Sequence, residues 1–120
     1  MSKEEIIQRI INLPKQFYRV GNASMHSLLK ATGYFEFYDE ITEMDIRNFI
    51  INQNDSIDEW LLWSENKRSN SGWFFQNEKD NKYHVGYLLL GKQLEVFEYS
   101  DKVQACTSFI IKEIEEIRKG

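Results

Sequence analysis

The sequence has one proline, one cysteine, two histidines and six glycines in 120 residues, and each scarcity closes off a class of protein. A lone Cys106 forbids an intramolecular disulfide and suits a reducing compartment. Two histidines and one cysteine, far apart along the chain, make a poor zinc ligand set. The glycines are dispersed, so there is no glycine-rich loop to cradle a phosphate. No stretch approaches the ~18 consecutive apolar residues of a membrane span. The N-terminal MSKEEIIQRI is charged from its third residue and lacks the apolar h-region of a signal peptide, which points to a cytoplasmic location. The sequon matches at Asn22 and Asn54 then carry no meaning.

What remains is ordinary in bulk and uneven in detail. Apolar residues at 42% and charged residues at 28% are the proportions of a globular protein, and 120 residues are read as one domain, 1–120, large enough to bury its own core. Aromatic residues are plentiful at 14%, and all three tryptophans fall within 60–73. The net charge of −4 is concentrated: residues 36–59 carry eight acids against one base, whereas 60–120 carry nine of each. Acids gathered in this way repel phosphate and attract a basic protein, so nucleic acid is an unsuitable partner.

Along the chain, Ser2 and Glu5 read as a capping box, followed by a helical stripe of Ile6, Ile10 and Leu13 that Pro14 ends or kinks. A short run through Phe17 and Tyr18 stops at Gly21. Asn22 or Ser24 caps a helix over about 25–31, ended by Gly33. Residues 34–38 read as loop or short strand. Thr42 caps a third helix whose first turn holds Glu43 and Asp45 and whose apolar face is Ile46, Phe49 and Ile50. Strands are predicted over 57–64, 72–76, 83–90 and 93–99, with Gly91 and Lys92 as a tight hairpin connection. The third strand is apolar on both faces from Tyr87 onward, the pattern of a central strand covered on both sides. Ser100 or Asp101 caps a last helix with Val103, Cys106, Ile110, Ile114 and Ile117 on one face. The predicted fold is α+β: a single antiparallel sheet of about four strands over roughly 57–99, with N-terminal helices and a C-terminal helix packed on it.

No catalytic, metal or cofactor motif is present, so candidate residues follow from surface character. Cys106, on an apolar helix face, reads as a small buried hydrophobe more readily than as a nucleophile. His84 lies mid-strand with Glu78 nearby, and an acid–base role needs a second titrating group that sequence does not place. Asp39/Glu40 and Asp58/Glu59 are adjacent pairs, a poor spacing for one shared metal site on a strand. Glu36, Asp39, Glu40, Glu43, Asp55, Asp58 and Glu59 are either a solvated face or a steering surface for a basic partner. On a strand Trp60 and Trp63 face opposite ways. Trp63 or Trp73, if exposed beside Arg68 in the polar run 65–71, is a candidate anchor, and core positions for all three tryptophans are the alternative.

The segments IDEWLLWSENKRSNSGWFF, YHVGYLLL and VQACTSFIIKEIEEI, about half of this small, acidic, aromatic-rich chain, resemble immunity proteins of bacterial polymorphic-toxin and contact-dependent growth inhibition systems. The resemblance implies a cytoplasmic inhibitor that binds a toxic nuclease or other effector domain and blocks its active site, with no catalytic residues and no cofactor. The expected protein is thus a non-enzymatic binder, monomeric or weakly oligomeric. The alternatives are a small enzyme or ligand-binding domain centred on His84, and a self-associating adaptor that uses an uncovered sheet edge.

Overall fold

A computed structural model describes residues 2–67 and 70–120. Its centre is the C-terminal helix. Asp101 caps this helix by accepting the N–H groups of Val103 and Gln104, and the stripe that buries Cys106, Phe109, Ile110 and Ile114 lies between helices on one side and a sheet on the other. In chain order the elements are α1 (Lys3–Ile11), α2 (Leu13–Val20), α3 (Met25–Ala31), α4 (Tyr34–Phe37), α5 (Glu43–Ile51), α6 (Asp55–Asn66), β1 (Gly72–Asn77), β2 (Tyr83–Leu89), β3 (Lys92–Tyr99) and α7 (Lys102–Lys119). The fold is α+β: six helices, an antiparallel sheet in the order β1-β2-β3, and a closing helix packed on that sheet.

The caps form as their residue types dictate. Ser2 Oγ accepts the N–H of Glu5, and Thr42 and Asp45 bond reciprocally in a full capping box. Pro14 begins α2 in the first-turn position, where its missing N–H costs nothing. Residues 34–38 are neither loop nor strand. They contain the single turn α4, which starts after Gly33 at φ 94°.

The larger correction concerns 57–64, which is helix and not strand, so the sheet has three strands and not four. Ser56, Ile57, Trp60 and Trp63 are buried while Asp55, Asp58, Leu62 and Glu65 are exposed, a three-to-four-residue alternation that only a helix produces. Trp60 and Trp63 therefore share one face. The Nε1–H of Trp60 donates to Ile11 O (3.0 Å) and that of Trp63 to Glu113 Oε2 (3.0 Å), which ties α6 to α1 and α7.

β2 is the central strand, as its apolar run predicted, but it is not covered on both sides. On the α7 side Phe75 stacks on Phe109 at 5.6 Å between centroids, and the Tyr99 and Ser108 hydroxyls bond at 3.0 Å. On the other side Phe74 is buried by lying across Gly86 in place of a helix; a Cβ at Gly86 would strike the Phe74 ring and Glu95 O. The connection from β2 to β3 is Leu90 and Gly91, both at positive φ, and not Gly91 and Lys92 as expected, because Lys92 already pairs with Leu89 as the first residue of β3. Ser71 Oγ and Asn70 O accept their N–H groups and hold the connection in place.

Candidate functional site

The change of 57–64 from strand to helix decides how the acids are arranged. Along α6, Asp55, Asp58, Leu62 and Glu65 follow one another at three- and four-residue intervals, and Glu59 and Asn66 lie beside them, so that all six form a single outward stripe. A strand would have divided Asp58 and Glu59 between two faces. Glu59 is half-buried and pairs with Lys15 of α2 at 3.4 Å, whereas Asp55, Asp58 and Glu65 are exposed and make no ion pair with a described residue. At the stripe's C-terminal end the side-chain amide of Asn66 donates to the Tyr18 hydroxyl (3.1 Å), so an exposed aromatic ring borders the acids. Leu62, 49% exposed, lies among them.

The stripe is held rigidly from behind. Glu113, buried on α7, takes the Trp63 indole N–H and the Lys67 ammonium, the latter at 2.8 Å. Lys67 also donates to Trp73 O, and Ser64 Oγ accepts the Phe75 N–H at 2.7 Å. No side chain in this set has to order itself when something meets α6.

The remaining predicted acids sit on other elements. Glu36, Asp39 and Glu40 are exposed on α4 and the turn after it, and Glu43 is exposed in the first turn of α5. A latch positions the first three: Tyr34 donates its hydroxyl to Glu115 Oε2 (2.6 Å), and Arg118 donates to both oxygens of the same carboxylate while stacking 3.7 Å over the Tyr38 ring. The Arg118 hydrogen bonds hold the Glu115 carboxyl below the usual range, and burial pushes the Tyr34 phenol up. Asp45 is spent on structure. Burial opposes its charge, but the Thr42 N–H and the Lys3 ammonium at 3.0 Å outweigh that, so its carboxyl also titrates below the usual range.

Of the predicted anchors, Trp63 is buried against Phe17 and Glu113 and offers no surface. Trp73 is half-buried, edge-on to Tyr87 with Lys112 Nζ 5.1 Å from its ring centroid. Arg68 lies outside the described residues. Tyr18, Leu62 and Glu65 were not singled out from sequence. The helical spacing of 55, 58, 62 and 65 carried the signal for the last two, and for Tyr18 there was none.

The other chemical candidates resolve individually. Cys106 is fully buried, and that burial pushes its thiol up, so it stays protonated. His84 lies on the outer face of the sheet, with Nε2 3.2 Å from Glu98 Oε1 and Nδ1 3.6 Å from Glu78 Oε1. Among the described residues no three His, Cys, Asp or Glu side chains gather closely enough to hold a metal ion, and no helix is long and apolar enough to cross a membrane. No protein-family model, curated protein or solved structure matches this chain.

Proposed function

We propose that this chain is a binding protein that captures and neutralises a basic protein partner, as the toxin-immunity proteins it resembles do. The exposed face of α6 carries the reading: carboxylates of Asp58, Glu59 and Glu65 flank Leu62, Asp55 extends the stripe toward the helix start, and the Tyr18 ring lies at the other end. The carboxylates speed encounter with a positive surface, and the leucine and tyrosine supply apolar area once water is expelled. Glu36, Asp39, Glu40 and Glu43 extend the negative field from α4 and α5. A nuclease active-site surface, basic because it binds phosphate, has the complementary charge. The reading places the chain in the bacterial cytoplasm.

The test is capture from the native cell by the tagged chain at low and moderate salt, beside a variant carrying Asp55→Lys, Asp58→Lys and Leu62→Ala. A basic protein retained by the wild type, lost by the variant and lethal when expressed without this chain is the expected result. Retention by both proteins removes α6 from the account.

A second reading has its own observation, the imidazole of His84 set between two carboxylates, an arrangement that suits proton transfer. It requires that His84→Ala abolish a turnover while partner capture is unchanged.

A further inference from the structure

The two edges of the sheet are finished differently. At β1 the outward N–H of Phe75 and C=O of Trp73 are taken by Ser64 of α6 and by Lys67, the residue that ends it. At β3 no described group outside β2 bonds to the strand backbone. Glu95 O points into the sheet beside Gly86, so by the alternation of an antiparallel strand the N–H and C=O of Val96 and Glu98 point outward. The same strand is exposed at seven of its eight residues, and Leu94, Val96 and Phe97 are at least 42% exposed. An open edge with apolar side chains is a template for another strand.

We propose that the occupant is a second copy of this chain, joined β3 to β3 in antiparallel fashion about a two-fold axis at Val96, so that the two sheets become one of six strands. Charge selects a like copy over a uniformly basic or acidic strand. The edge carries both signs, with Lys92 at its start, Glu95 and Glu98 further on, and Lys112 of α7 standing 5.3 Å over the Phe97 ring. With Val96 on the axis, each Glu95 lies opposite the other copy's Phe97 and so beside the other copy's Lys112. Each Lys92 end runs toward the other copy's Glu98. A register with Glu95 on the axis would oppose two like charges. The bulge between Tyr87 and Leu88 falls near the beginning of β3 and leaves Glu95–Tyr99 regular. This interface is separate from α6 and does not depend on what α6 binds.

Sedimentation velocity from low micromolar to near-millimolar protein tests it. The mass should rise from 14.4 kDa toward twice that value. Val96→Pro removes an outward N–H that the sheet does not use, and Val96→Lys sets two like charges on the axis; each should weaken dimerisation by roughly tenfold or more. A thermal melt of each variant establishes that it is folded, and Val96→Lys carries the test if the proline is not tolerated. Leu62→Ala should dimerise as the wild type does. A chain that is monomeric throughout, or a dimer that survives Val96→Lys, overturns the proposal, including the case in which β3 instead accepts a strand from a different protein.

Discussion

Glu113 stands on a helix face otherwise made of Cys106, Phe109, Ile110 and Ile114, and its carboxylate is buried. It is tolerated because the Trp63 N–H and the Lys67 ammonium both meet it. Removing one partner of such a set leaves the other groups desolvated and unsatisfied, which is far worse than never having had them. Glu113→Ala should therefore lower unfolding stability by about 3 kcal/mol in a urea titration, and Glu113→Gln, which can still accept the indole N–H, by less. Gly86 is the other decisive position. A methyl group there meets Glu95 O on one side and the Phe74 ring on the other, so Gly86→Ala should cost about 2 kcal/mol and expose Phe74, read as a loss of stability with quicker amide exchange in β2. Cys106 was legible as a buried hydrophobe because the helical spacing of its neighbours is unambiguous. Glu113 was not: by type it belongs on the wet side of α7, and only the fold brings Lys67 and Trp63 to it.

Among the elements, α7 and the helix caps could be read from sequence, as could the three strands within a residue or two. These segments have a single strong signal each: a three-to-four spacing, a Ser or Thr followed three residues later by an acid, or a glycine between two apolar runs such as Gly91, although the connection there is Leu90 and Gly91 and not Gly91 and Lys92. α6 has two competing signals. Trp60, Leu61, Leu62 and Trp63 form an unbroken apolar and aromatic run, which suits a strand by residue type and hides the helical period beneath it. The acids were thus legible as composition, while their gathering into one stripe followed from the element. Asp55 and Asp58 face water but lie in the first turn of α6, where the helix dipole favours carboxylates. Asp55→Lys with Asp58→Lys should therefore lower chemical-denaturation stability by no more than about 1 kcal/mol per substitution and leave the chain folded, which makes any loss of binding a surface effect. The latch between α4 and α7 predicts a pH dependence. Glu115 and Asp45 both have folded pKa values below their ordinary 4.5 and 3.8, so their stabilising contribution is fully present above those ordinary values. It is lost as pH falls through the depressed folded values. The melting temperature should fall as pH is lowered from about 6 to about 3, and Arg118→Gln, which brings the Glu115 pKa back up, should flatten that fall. Equal slopes for the two proteins would remove the latch from the explanation.

At the scale of the whole molecule, charge and apolar exposure are sorted by location. Most of the exposed acids of 36–59 have no internal partner and lie on α4, the turn after it, the start of α5 and α6, while α7 and the sheet carry mixed charge. The concentration of negative charge in 36–59 was visible in the sequence, and it is what a steering surface requires. The fold adds a rigid backing of Trp60, Trp63, Ser64 and Lys67, which keeps the α6 carboxylates where they are before any partner arrives. The most direct measurement of this account is the association rate of the captured partner with wild-type chain and with the Asp55→Lys, Asp58→Lys variant over a range of salt. The wild type should associate at a fast, salt-sensitive rate, and the variant more slowly with a shallower salt dependence. Equal rates and equal salt slopes for the two proteins would contradict it.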